Sequence, residues 1–283
     1  MILDDFDARP GSATSLLRTV IGACLRNLGG WISIAVLIRL MAAVGVAPAH
    51  TRTAVLRVKR KGLLLPRTVA GQTGYRLNPD AVPMLERGDR RIFTFRQQGD
   101  GDPWCLVSFS IPETQRDARH QLRRRLVWIG CGTVATGLWI CPAFLANEVE
   151  EILIDLGLRE SATLFITGTP QTAGRLADAA SRWWDLDRLE ALHRAFLSSQ
   201  GAVLSAGATP RDAFARYIAA LDEWRILPYL DPGLPPAALP SDWPGFDSVA
   251  LFERITVTLS EPAERYLREV RRPPSLPALK LAP

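Results

Sequence analysis

The stretch whose reading decides the fold is "SIAVLIRLMAAVGVAPAHTRTAVLRVKRKG", Ser33 to Gly62. Its first part predicts a helix that starts at Ser33 and stops at Gly45, since serine caps a helix start and glycine suits the turn that ends one. "VAP" makes a short turn. "HTRTAVLRVKRKG", His50 to Gly62, predicts the next helix, again closed by glycine, with five Lys or Arg residues and no acid. Upstream, Ser12 or Thr14 caps an earlier helix that runs to about Leu28 and stops at Gly29-Gly30. Downstream, "LLLPRT" and "GYRL" read as two short strands around a loop, Val69 to Gly74. Three helices, a tight turn between the last two, and a two-stranded wing make the winged helix-turn-helix order.

The third helix has two stripes at about 100° per residue. Thr51, Ala54, Val55, Val58 and Gly62 share one side and are expected to face the other two helices. Arg52, Thr53, Leu56, Arg57, Lys59 and Arg60 share the other. A merely solvated face mixes Glu with Lys for support between successive turns. An acid-free face suits a polyanion instead. Arginine reads guanine edges with two hydrogen bonds, threonine meets bases or a thymine methyl, and lysine neutralises phosphate. Arg52, Thr53 and Arg57 are therefore the candidate base contacts, and Lys59, Arg60 and Lys61 the candidate phosphate contacts. His50 is expected at the helix start or on a phosphate, and Arg67 and Arg76 on the wing at the backbone or minor groove. Leu56 is expected to pack on the wing, with a thymine methyl as its other use.

Charge along the chain is uneven. Among 283 residues with a net charge of +5, residues 8–79 carry eleven Lys or Arg and no Asp or Glu. Residues 80–283 carry 23 bases and 26 acids, so the basic character belongs to one N-terminal block. Such asymmetry points to a polyanionic partner, nucleic acid before membrane. The four cysteines, Cys24, Cys105, Cys131 and Cys141, show no paired spacing and are expected to be reduced thiols of a cytoplasmic protein. "LVWIGCGTVATGLWICPAFLA", Leu126 to Ala146, is uncharged and long enough to span a bilayer. Its glycines and Pro142 argue for buried strands instead, and no membrane association is expected.

The expected fold class is α+β. The winged helix-turn-helix occupies 12–85, and a polar, glycine-punctuated linker follows at 86–103. Residues 104–175 read as strand, amphipathic helix, two strands, helix, strand: a ferredoxin-like βαββαβ domain. A helical C-terminal domain spans 181–272, with helices at 186–204, 210–229 and 247–270. The proline-rich end, 273–283, is expected to be disordered.

No enzyme motif survives its sequence context, and the chain is expected not to be an enzyme. "GCGTVA", from Gly130, fits a dinucleotide-binding pattern, with Glu151 about twenty residues on. That pattern must follow a strand and open a helix, whereas here a basic helix precedes it. No G-x-S-x-G elbow occurs, and His50, His120 and His193 are isolated. The first strand of the middle domain ends in Ser108–Pro112 without the carboxylate that metal-dependent cleavage would need. Glu148, Glu150, Glu151 and Asp155 read as a solvated helix face, as do Arg123, Arg124 and Arg125, although a CoA phosphate or a subunit interface could use these arginines. No metal or resident cofactor is expected.

The chain resembles the PaaX family, repressors of phenylacetic acid degradation genes, over about residues 12–270. The resemblance rests on "LIRLMAAVGVAPAHTRTAVLRVKRKGLL", "RRIF", "WCLVSFSIPETQRDARHQLRRRLVWIGCG", "GLWICP", "WDLDRL" and "LDPGLPPAALPSDWPG". It implies a cytoplasmic homodimer on palindromic operator DNA, released by an aryl-CoA thioester such as phenylacetyl-CoA. Arg225, Tyr229 and Trp243 lie in or beside the C-terminal signature and are candidate effector contacts. Asp231 and Asp242 read as turn residues and Trp243 also as a core anchor. Leu56 stands where a small polar residue is expected and Val58 where leucine is, and "VKRKG" lacks an acid before the glycine, which leaves the operator sequence open. The alternatives are an acyl-CoA-metabolising enzyme with an accessory DNA-binding domain, and an RNA-binding module using Trp104 and Phe109.

Overall fold

A computed structural model describes residues 9–201 and 209–271. The expected disordered end, 273–283, lies outside the described residues, as does the end of the helix expected at 186–204. The chain is mixed α+β, with two antiparallel sheets. It divides into two compact units.

The first unit begins with α1 (Ala13–Val20), capped by Ser12, whose side chain accepts from the Ser15 amide, and extended by a wide helical turn over Ile21–Leu25. β1 (Trp31–Ser33) follows, then α2 (Ile34–Ala43), capped by the Ser33 side chain. Four residues on comes α3 (Pro48–Arg60), bent 116° from α2. Proline at the first turn costs α3 nothing, because that amide has no partner inside the helix. Both α2 and α3 end in the same way. The closing amide past each end, Val46 or Leu63, donates back to Met41 or Val58. The residue just before it is Gly45 or Gly62, in the left-handed conformation that this closure needs.

β2 (Leu64–Val69) and β3 (Gln72–Leu77) form a hairpin in a three-stranded sheet of order β1-β3-β2. The expected six-residue loop is in fact a two-residue turn, Ala70-Gly71, both with positive φ, and Gly74 is a strand residue paired with Ser33 and Arg67. Glycine is required there. A Cβ on Gly74 would sit 2.8 Å from the Trp31 ring and closer still to the Ile32 carbonyl oxygen.

α1, α2 and α3 share a core through Leu17, Val20, Leu37, Leu40, Ala54 and Val55. This unit also takes α9 (Pro210–Trp224) as far as Asp222, and α11 (Gly245–Arg271) from Phe252 on. Phe214 and Ile218 of α9 and Leu267 of α11 join that core. The apolar stripes of these two C-terminal helices complete the N-terminal core.

The second unit holds Glu86–Gly201 and Glu223–Leu251. The stretch expected as a linker opens within α4 (Val82–Phe93). β4 (Trp104–Phe109), α5 (Arg116–Trp128), β5 (Gly132–Ala135), β6 (Leu138–Pro142), α6 (Ala146–Asp155) and β7 (Ala162–Thr167) follow. The sheet order is β5-β6-β4-β7, antiparallel throughout. One face packs on α5 and α6 through Val107, Leu122, Leu126, Val149 and Leu153. Trp104 and Ile140 on the other face meet Trp184, Leu189 and Trp243. α7 (Leu176–Trp183), α8 (Leu186–Gln200) and the one-turn α10 (Leu227–Leu230) complete the unit.

The uncharged stretch 126–146 becomes the end of α5, the edge strand β5, where Thr133 and Ala135 are exposed, and the buried strand β6, so only one of the two strands is buried as expected. No single helix among the described residues is long and apolar enough to cross a membrane.

Candidate nucleic-acid interface

α3 is seated by its apolar stripe. Thr51, Ala54, Val55 and Val58 are buried. Every polar candidate on the other stripe, His50, Arg52, Thr53, Arg57, Lys59, Arg60 and Lys61, is exposed. None of the six bases has an ion-pair partner among the described residues. No acid lies in the first turn of α3, whereas Arg57, Lys59 and Arg60 occupy its last turn. There they also complement the negative end of the helix dipole, which gives these three a structural use. That argument does not reach Arg52, near the other end. Thr53 Oγ1 donates to the Ala49 carbonyl at 3.2 Å, so its methyl and hydroxyl sit at a fixed angle on the exposed side. Leu56 is 49% exposed, so it does not bury itself against the wing as expected.

Arg67 on β2 is exposed and Arg76 on β3 half-buried. Arg67 pairs with Gly74, and Arg76 with Leu65 and Trp31, so both arginines lie on one face of the three-stranded sheet. Trp31 steadies that face, its Nε1 donating to the Arg67 carbonyl at 3.0 Å. Sequence reasoning misses Trp31. Its only signal is an aromatic directly after Gly29-Gly30, and three residues are too few to show strand alternation.

The effector candidates lie in the second unit, in different surroundings. Arg225 is buried and partnered. Tyr229 stacks on Trp128, with ring centroids 5.5 Å apart, and Arg91 lies over the Tyr229 ring. Arg91 also donates to Glu148 and to the carbonyls of Ile129 and Pro228. Trp243 is buried in the apolar cluster beneath the sheet, edge-on to His193. His193, isolated in the sequence, is fully buried, and its Nε2 lies 2.9 Å from Asp231 Oδ2. Asp231 Oδ1 accepts from the Gly233 amide, the turn role expected of it. His193 Nδ1 has no hydrogen-bond partner among the described residues.

The glycine pattern at Gly130 is a packing device. It follows α5 and opens β5, and a Cβ on Gly132 would meet the Trp184 ring at 2.6 Å. The four thiols are free and buried. Cys105 and Cys141 face each other across β4 and β6. A hydrogen bond with Cys141, then burial, pushes the Cys105 thiol up, and burial pushes Cys24 up to about 12. No group of three or more His, Cys, Asp or Glu among the described residues could hold a metal ion.

Known proteins share this organisation. Residues 12–81 match the family described as PaaX-like protein, residues 96–178 the PaaX protein central Cas2-like domain, and residues 184–269 the PaaX-like protein C-terminal domain. The chain is 24% identical to the transcriptional repressor PaaX of Escherichia coli K12 over 95% of its own length and 90% of the relative's. A solved structure, the uncharacterized protein Rv0674 from Mycobacterium tuberculosis, shares the fold, with a TM-score of 0.58 at 22% identity over 89% of this chain and 98% of that one. Three matched segments in order, covering both compact units, leave one conclusion: the chain belongs to the PaaX family.

Proposed function

We propose that this protein is a DNA-binding transcription regulator, a repressor of an aromatic-acid catabolic operon that an aryl-CoA thioester releases from its operator. The observation that carries the reading is the exposed, acid-free face of α3, on a helix seated by its other stripe and set 116° from α2 across four residues. Helix-turn-helix pairs cross at about 90–120°. With the β2–β3 hairpin following, the N-terminal region is read as a winged helix-turn-helix. The order β5-β6-β4-β7 with α5 and α6 on one face supports a ferredoxin-like reading of the middle region.

In this mechanism α3 enters the major groove. Arg52, Thr53 and Arg57 meet base edges, Lys59, Arg60 and Lys61 meet phosphates, and His50 sits on a phosphate at the helix start. Arg67 and Arg76 reach the backbone or the adjacent minor groove. A homodimer presents two such helices one helical turn apart to a palindrome. Phenylacetyl-CoA or a related thioester binds in the C-terminal third, with Arg225, Tyr229 and Trp243 as candidate contacts. It favours a dimer geometry that no longer fits both half-sites, which requires unequal affinity for the two geometries.

The test is direct. Purified protein is titrated into a labelled fragment of its own promoter at modest salt, with and without phenylacetyl-CoA. Binding by the wild type, weakened in Arg52→Ala and reversed by the thioester, is the expected result. Absence of binding by the wild type, or turnover of the thioester, would overturn the reading.

A further inference from the structure

Asp222 is 1% exposed and stands near the end of α9. Its Oδ1 accepts from Ser15 Oγ at 2.7 Å and from Thr19 Oγ1 at 2.6 Å, and its Oδ2 accepts from the Gly11 amide at 2.8 Å. Ser15 and Thr19 lie one turn apart on α1 and are themselves buried. A buried carboxylate is costly unless its acceptor sites are filled, and here three donors from the start of the chain converge on it. Charge-assisted bonds of this kind are directional and stronger than neutral ones. They fix the rotation of α1 as well as its distance, which apolar packing does less sharply. α1 in turn packs on α3, through Leu17, Val20, Ala54 and Val55.

Two residues beyond Asp222, the chain belongs to the second compact unit. Trp224 is 1% exposed there, its Nε1 donates to the Ile92 carbonyl at 2.9 Å, and its ring meets those of Phe95 and Phe196.

From these three hydrogen bonds we infer that Asp222 is a positioning residue, through which α9 sets the pose of α1 and, with it, of the proposed DNA-contacting helix α3. It touches no DNA itself. It acts by holding α1, against which α3 rests, and the inference depends on the DNA-binding reading of α3.

The test uses the full chain in three variants: Asp222→Asn, the double variant Ser15→Ala/Thr19→Val, and all three changes together. Amide hydrogen exchange is read by segment, promoter affinity by fluorescence anisotropy, and melting by circular dichroism. Exchange is expected to speed up over 12–28 and 48–60 and to stay unchanged over 104–167, while affinity falls about tenfold. The combined variant should lose less than the Asp222→Asn and Ser15→Ala/Thr19→Val losses multiplied, since the three side chains form one network. Wild-type exchange and affinity in Asp222→Asn would overturn the proposal. So would faster exchange spread evenly over both units with a lowered melting temperature, the mark of a merely structural residue. Should Asp222→Asn fail to fold, the Ser15→Ala/Thr19→Val pair decides by the same readouts. If the wild type itself ignores DNA, the functional reading fails, and the exchange pattern alone decides whether Asp222 holds α1 and α3.

Discussion

α3 and α5 are both basic helices of thirteen residues, and they differ in what surrounds the charge. α5 carries more arginine than α3, yet Arg119 is paired with Glu113 at 2.7 Å, Arg125 with Asp155 at 3.5 Å, and Arg124 is also partnered. Asp117 sits in its first turn. The bases of α3 have no such company, and residues 8–79 contain no acid at all. Exposed ion pairs contribute little to stability, but they lower the local potential that a phosphate backbone would meet. On the proposed reading, the density of positive residues is a poorer guide to a nucleic-acid surface than the absence of neighbouring acids.

The comparison breaks most visibly at α3. Arg52→Ala/Arg57→Ala should cost roughly 100-fold or more in promoter affinity, at about 1–3 kcal/mol for each bidentate base contact. Arg123→Ala in α5, measured beside it by anisotropy, should change affinity less than about twofold. The wing gives a smaller effect of mixed origin. Gly74→Val forces a Cβ against Ile32 and Trp31, so a loss of about 2 kcal/mol in denaturant melting is expected, with weaker DNA binding as the sheet bearing Arg67 and Arg76 shifts.

Phosphate binding sharpens the contrast through salt. Removing Lys59 and Arg60 should flatten the slope of log affinity against log salt by about one for each phosphate left without its cation, whereas removing Arg116 and Arg123 should leave it unchanged.

The smallest effect is alkaline. In the first unit, burial, and after it Glu264, pushes the Cys24 thiol from 9.0 up to about 12. Burial, then Cys24 and Glu264, pushes the Tyr217 hydroxyl from 10.0 up to about 12, against a Thr256 hydrogen bond that lowers it. Both pKa values are raised in the folded state, so their contribution is complete below about pH 9 and is lost as the pH rises toward 12. The Cys105 and Cys141 thiols of the second unit's sheet are raised as well, so segment-resolved exchange between pH 8 and about 10.5 should show both the first unit and that sheet loosening over the same range.

Much of this was legible in the sequence where a single residue type forces a conformation. Gly45 and Gly62 marked the ends of α2 and α3, because the backbone there takes the left-handed turn that other residues resist. The four strands of the middle sheet were legible from apolar runs between turn residues. The hairpin was legible but not its two-residue turn, because Gly74 looks like a loop residue, when its missing side chain is what lets β1 approach β3. The start of the expected linker is helical, and Gly88 within a polar run hid that, since glycine costs a helix about 1 kcal/mol without forbidding it.

Of the candidate site, the stripe on α3 could be read from helical spacing alone, since one face had to be buried. Trp31 and Asp222 could not. The donors to Asp222 lie more than 200 residues away in the chain, and no local pattern records such a contact. The contact of His193 with Asp231 leaves no local pattern either, since Asp231 beside Pro232 also has the character of a turn residue.

The most direct test of the central claim places a photo-crosslinking side chain at Thr53 on α3 or at Val127 on α5, both exposed positions on a basic helix. Irradiated with promoter DNA, the Thr53 variant should become covalently attached to it and the Val127 variant should not. Attachment from Val127 with none from Thr53 would contradict the account.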